Sequence, residues 1–161
     1  MMKILGIDPG LKATGYGCIE AGNRSVTLLE TGTVEPKTKD LIQNRIQTVY
    51  KILGGLIEGY KPQVLVLEKL YAHSKHPVTA SKLGHVRGVI CLLCAERGVE
   101  LAEHSVKRIR KSLTGNGNAT KVQTRRIVAD ILRIDGEKLP LDASDALALA
   151  LGYVRMQGYQ L

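Results

Sequence analysis

At 161 residues with 44% hydrophobic side chains, the chain is long enough to bury a core and is expected to form one domain over 1–161. No run approaches the roughly 18 apolar residues that span a bilayer, and the N-terminus lacks signal-peptide order, which argues against a membrane and for the cytoplasm. A net charge of +8 suits a polyanionic partner, although solubility alone explains it equally well.

Three apolar runs open the chain, at residues 3–8, 14–20 and 25–34. The links "PGLKA" and "AGNR" have hairpin chemistry and predict an antiparallel meander. Over 39–59 the period becomes helical, with Leu41, Ile42, Ile46, Val49, Ile52, Leu53, Leu56 and Ile57 on one stripe. "KPQVLVLEK" is a short apolar run suited to a strand covered on both faces. Residues 78–97 predict a helix with Leu83, Val86, Ile90, Leu93 and Cys94 along one side. Its "CLLC" resembles half of a zinc or redox motif, but no second pair completes it, so Cys91 and Cys94 are expected as buried core thiols. A short strand at 99–103 follows, then basic helices in "SVKRIRKSL" and "TKVQTRRIVADILRI" divided by "TGNGNA". "DASDALALALGYVRM" predicts a final amphipathic helix. The order βββ-α-β-α-β-α-α-α gives an α/β fold: a mixed five-stranded sheet, three antiparallel strands then two parallel, with helices on both faces.

Against this frame four carboxylates are misplaced. Asp8 ends the first strand and Glu68 the fourth, and these strands are predicted parallel neighbours. Asp142 and Asp145 open the last helix at i, i+3, on one face. Each alone has an ordinary role: a turn former at Asp8, a solvated strand end at Glu68, an N-cap at Asp142, a first-turn acid at Asp145. Together they repel and raise one another's pKa values unless a cation intervenes. Hard oxygen ligands suit Mg²⁺ or Mn²⁺ and not zinc. Two such ions roughly 4 Å apart activate a water and stabilise the leaving oxygen of an in-line phosphoryl transfer.

Basic residues concentrate between Lys107 and Arg126, and the "TGNGNATK" turn before a helix offers backbone N–H groups and Lys121 to a phosphate. As a plain helix–helix connector the turn is equally well explained. Tyr71, in "YAHSKHP" just after Glu68, is either a core residue or a platform for a base. The histidines lack the partners of a metal site.

In order, "GIDPGLKATGYG", "LEKLY", "SKLGHVRGV", "TGNGNATK" and "DASDALALA" resemble the motifs of the RuvC Holliday-junction resolvases, of the ribonuclease H-like superfamily. That resemblance implies four catalytic, metal-binding carboxylates, falling here on Asp8, Glu68, Asp142 and Asp145, with two Mg²⁺ per active site and Mn²⁺ as a substitute. It implies a homodimer that nicks a four-way DNA junction symmetrically, leaving 5′-phosphates and 3′-hydroxyls, and that works with the RuvA–RuvB branch-migration complex. Arg110 and Lys121 are then expected beside the scissile phosphate. DNA contacts are expected at Tyr71, Lys75, Lys82, Arg87, Lys107, Arg110, Lys111, Asn116, Lys121 and Arg125. The 78–97 helix, with Gly84 and Gly88 beside Val86, Val89, Ile90 and Leu93, is the expected dimer axis. Three positions depart from the family pattern: Tyr71 where Phe is frequent, Arg110 where Lys is usual, and Val106 where many relatives have Pro. Competing functions are an actin-type ATPase, for which the chain lacks room for a second lobe, a catalytically silent DNA-binding protein, and a related ribonuclease. Four carboxylates at one sheet edge would repel the phosphates a silent binder must hold.

Overall fold

Hairpin chemistry in the first links joins β1 (Met2–Asp8), β2 (Thr14–Ala21) and β3 (Val26–Val34) into an antiparallel meander. The computed structural model describes residues 1–69 and 77–161. After the meander come α1 (Ile42–Tyr60), β4 (Val64–Glu68), α2 (Pro77–Arg97) and β5 (Glu100–His104). Three helices close the chain: α3 (Val106–Thr114), α4 (Lys121–Leu132) and α5 (Leu141–Met156). The strand order is β3-β2-β1-β4-β5, and β4 runs parallel to both β1 and β5. The mixed five-stranded sheet expected from the chain order is therefore the observed one.

Strand period divides the core into two layers. Ile4, Ile19, Val64 and Val66 face one way and pack with α3, α4 and α5. Leu5, Ile7, Cys18, Leu65 and Leu67 face the other way and pack with α1 and α2. The continuous apolar run of β4 serves both layers, as a strand covered on each face must.

Helix α5 departs from expectation. Ala143 to Val154 are buried except Asp145, so the helix is enclosed rather than amphipathic. One side lies on β1 and β2 and the others are covered by α3 and α4. Two glycines let it approach the sheet: a Cβ at Gly6 would stand 2.0 Å from the carbonyl oxygen of Ala146, and one at Gly15 2.0 Å from that of Asp142. Gly15→Ala is therefore expected to push the start of α5 off the sheet and destabilise the protein by about 3 kcal/mol. Urea unfolding checks this, and an unchanged midpoint would contradict the close packing.

Helix α1 buries a narrower stripe than its pattern predicts. Val49, Leu53 and Ile57 are buried, whereas Leu41, Ile42 and Ile52 are exposed. The helix rests on α2 and the edge strand β3, and its far flank meets solvent. Helix α2 needs three corrections. By length and composition Val78–Arg97 is apolar enough to cross a membrane, against the expectation that no such run exists. Its inner side, Val86, Ile90, Leu93 and Cys94, belongs to this chain's own core, with Val89 packed beside it. Cys91 is exposed rather than a core thiol, because it lies on the outer side with Val78, Gly84, Gly88 and Leu92.

Candidate active site

Strand period decides where the first two acids point. Ile7 pairs with Leu67 in the parallel β1–β4 ladder, so Asp8 and Glu68 end neighbouring strands at the same edge. Both continue the even-numbered series Ile4–Gly6 and Val64–Val66, which faces α5. The close seat of α5 against Gly6 and Gly15 brings its start to the same edge, with Asp142 in the first turn and Asp145, expected there too, in the second. Asp142 does not cap this helix, since Pro140 occupies the N-cap position and Asp142 lies inside the first turn.

Asp8, Glu68 and Asp145 line a cavity of about 250 Å³ with Arg110, Lys121 and Thr124, walled by Val106, Ile109, Ala148 and Leu149. Asp142 is not part of that lining, yet its charge acts on both Asp8 and Lys121. Burial first, then the charges of Asp145 and Glu68, push the Asp8 carboxyl up to about 7 against the opposing pull of Lys121. Glu68 is raised by burial and by Asp145, with Lys121, Arg110 and Arg87 opposing. Lys121 Nζ donates to Asp145 Oδ2, and this bond holds the ammonium above its ordinary value.

Helix α4 sets Lys121 in place. Thr120 accepts the N–H of Gln123, whose side chain accepts the N–H of Thr120. This capping box starts the helix at Lys121 and turns its side chain toward the acids. It also amends the phosphate-cradle reading of "TGNGNATK". The N–H groups of Asn116, Asn118, Ala119 and Thr120 are taken by Thr114, Asn116, Asn116 and Gln123. The segment is a well-satisfied connector, and Lys121 is the group it presents to the cleft.

The other expected DNA residues divide by location. Lys107, Lys111 and Asn116 are exposed around a shallow depression formed by α3 and the connector. Arg125 lines a separate groove with Val122 and Arg126, and Lys82 is exposed on α2. Arg87 faces inward, its side chain 14% exposed, and is bonded to the end of β4 and to Glu103. Tyr71 and Lys75 lie outside the described residues. Two groups escaped the sequence reading. Thr124 is a buried member of the cleft, and Arg45 of α1 donates to the carbonyl of Leu11, bracing the turn that follows Asp8. Thr124 sits three residues after Lys121, on the same face of α4, which is the signal that marks it.

Among the described residues, no three His, Cys, Asp or Glu side chains are gathered closely enough to hold a metal ion unaided. The donor chemistry nonetheless fits a hard divalent cation: only carboxylate oxygens, buried and crowded enough to lift Asp8 to about 7, with Lys121 supplying part of the counter-charge.

A family model for crossover junction endodeoxyribonuclease RuvC matches residues 4–153. The chain belongs to the RuvC family. It is 38% identical over 151 residues to the RuvC of Pseudoalteromonas atlantica, covering 94% of this chain and 86% of that protein. It is 39% identical over 150 residues to the RuvC of Chloroherpeton thalassium, covering 93% and 80%. Among solved structures it resembles Thermus thermophilus RuvC in complex with Holliday junction substrate, at TM-score 0.89 and 24% identity over 99% of both chains. It also resembles the yeast mitochondrial resolvase Ydc2, at TM-score 0.72 and 17% identity over 98% of this chain and 79% of that one. These likenesses show the ribonuclease H-like fold. As a RuvC-family member the chain is a structure-selective endonuclease that resolves Holliday junctions.

The electrostatics predict how metal-free stability depends on pH. Asp8 is raised from 3.8 to about 7, so between these values the folded protein holds a proton that the unfolded chain has released. Stability then falls as pH rises from about 4 to about 7, by on the order of 4 kcal/mol for this group, and Glu68 adds in the same direction. Thermal melts in EDTA from pH 5 to 8 are expected to show the decline, and Asp8→Asn to flatten it. Added MgCl₂ is expected to raise the melting temperature more at pH 8 than at pH 5, because the cation binds only the deprotonated carboxylates. A wild-type curve indistinguishable from that of Asp8→Asn would contradict the assignment.

Proposed function

We propose that the cleft hydrolyses DNA phosphodiesters at four-way junctions, with Asp8, Glu68, Asp142 and Asp145 as metal ligands and Arg110 and Lys121 as phosphate-binding groups. The observation that carries this reading is the convergence of Asp8, Glu68 and Asp145 with Arg110 and Lys121 on one cavity. The four carboxylates would hold two Mg²⁺ ions, for which Mn²⁺ would substitute, and the bound metal would supply an activated water and charge neutralisation at the leaving oxygen. Arg110 and Lys121 hold non-bridging oxygens of the scissile phosphate and offset its growing negative charge. Lys121 exchanges its bond to Asp145 for the phosphate as DNA arrives. The water oxygen forms the new bond to phosphorus while the bond to the 3′ oxygen breaks, and that oxygen takes up a proton. The products are a 5′-phosphate and a 3′-hydroxyl.

The active unit is a homodimer of one nuclease domain spanning 1–161, with two cavities related by a two-fold axis and two strands nicked symmetrically. The outer side of α2 supports this. Val78 is 67% exposed and Leu92 51%, and Cβ atoms added at Gly84 or Gly88 would meet nothing within 4 Å. An apolar surface of this kind is suited to a second copy. Lys82, Lys107, Lys111, Asn116 and Arg125 contact the junction arms, Tyr71 and Lys75 the opened crossover. The enzyme acts in the cytoplasm alongside RuvA and RuvB. The deciding experiment incubates a synthetic four-way junction and a linear duplex of the same arms with enzyme and MgCl₂. Paired nicks in the junction with the duplex intact are expected. Equal cutting of both would defeat the proposal.

A further inference from the structure

We propose that Arg87 is a positioning residue for Glu68, holding the end of β4 from the side of the sheet opposite the cleft. Arg87 Nη1 donates to the main-chain oxygen of Glu68 at 2.6 Å, and Nη2 donates to Glu103 Oε1 on β5. One planar guanidinium thus joins the last residue of β4 to the neighbouring strand. The ladder shows why this end needs support. Pairing with β1 stops at Ile7–Leu67, one residue short of Glu68. Beyond it, the sheet bond from Lys69 N–H to the His104 oxygen, 2.9 Å, lies on the β5 side. A carbonyl held by a rigid fork fixes the peptide plane after Glu68, and so the direction in which the carboxylate leaves the strand.

Two further observations favour this role over direct DNA contact. Arg87 comes from α2, in the layer opposite α5, and is not among the residues lining the cavity. Its side chain is 14% exposed, and both of its terminal nitrogens already have a partner, whereas Lys82 on the same helix is exposed. A phosphate ligand would have to give up both bonds to reach DNA.

This inference rests on the proposed role of Glu68 in metal binding, and the test separates the two. Arg87→Lys and Glu103→Gln are made in the full chain, singly and together, with Glu68→Gln as reference. Lysine keeps the charge but presents no planar fork, so the variant is expected to fold with a melting temperature close to wild type. Junction affinity without metal and its salt dependence are expected to stay within about twofold. Single-turnover cleavage is expected to fall about 10–100-fold, with a raised MgCl₂ half-saturation and a smaller MgCl₂-induced melting shift. Glu103→Gln should fall between, and the double variant should be no slower than Arg87→Lys alone. Weaker metal-free junction binding with a shallower salt slope would make Arg87 a DNA ligand and overturn the proposal. A lowered melting temperature with unchanged rate and half-saturation would make it structural only, and also overturn it. If Glu68→Gln cleaves normally, the role of Glu68 fails first, whatever Arg87→Lys does.

Discussion

Replacing any one of Asp8, Glu68, Asp142 or Asp145 by its amide is expected to lower junction cleavage by about 10³-fold or more while leaving junction binding intact. The amide keeps the shape of the side chain and removes the charge that a divalent cation requires. Loss of negative charge from a cleft built to receive phosphate also reduces repulsion, so affinity should hold or tighten. The four variants should differ in stability. Asp8 is the most perturbed of the acids, by burial and by its acidic neighbours, so Asp8→Asn should be more stable than wild type in EDTA at pH 8. Asp145 is bonded to Lys121, and Asp145→Asn deprives that ammonium of its ionic partner, leaving it free for phosphate. Cleavage is read from end-labelled junctions and binding from gel shift in calcium or EDTA. Near-normal cleavage by two of the four would rule out a two-metal centre at this site.

The sheet is legible in the sequence because its signals are local. Alternation, the turn residues of the first links and the continuous apolar run of β4 each follow from a few adjacent residues, and parallel pairing of β1 with β4 follows from the helix between them. The carboxylates are legible for a related reason: an acid at the end of a buried strand is expensive, so its presence asks for an explanation. What the sequence conceals depends on neighbours distant in the chain. Helix α5 reads as amphipathic because Asp142 and Asp145 interrupt its apolar residues, yet Asp145 lines the cleft, Asp142 lies at the helix start, and α3 and α4 cover what would have been a solvent face. The stripe on α1 reads too wide because period alone does not say how much of a helix meets a partner. Arg87 reads as a DNA ligand because a cation in a basic protein suggests one. Only tertiary structure brings it against the Glu68 carbonyl and Glu103. Gly6 and Gly15 are visible in the sequence as glycines within strands, a pattern that signals close approach of another backbone, and that approach is what delivers α5 to the active edge.

Leu92→Glu is expected to convert a dimer into a monomer that no longer makes paired cuts. Val89 is the poorer place for such a charge, because it packs against the buried layer that includes Leu53, Ile90 and Leu93. A charge there would damage the fold as well as any interface. Leu92 is 51% exposed and shares the outer side of α2 with Gly84, Gly88 and Cys91, so its replacement leaves the core of the isolated chain untouched. In a two-fold pairing of α2 helices each substitution appears twice, so one change places two like charges in the contact, together with their desolvation. Each protomer carries one set of carboxylates, so a monomer can cut one strand at a time, and a four-way junction nicked once is not resolved. Sedimentation at micromolar concentration should show wild type as a dimer and Leu92→Glu as a monomer of similar melting temperature. On a cruciform plasmid, wild type should produce linear molecules from paired nicks within one binding event, and the variant should accumulate nicked circles, at a rate lowered by weaker binding. Wild type that sediments as a monomer, alone and on junction DNA, would refute the assembly, as would a Leu92→Glu protein that still linearises the plasmid as fast as wild type.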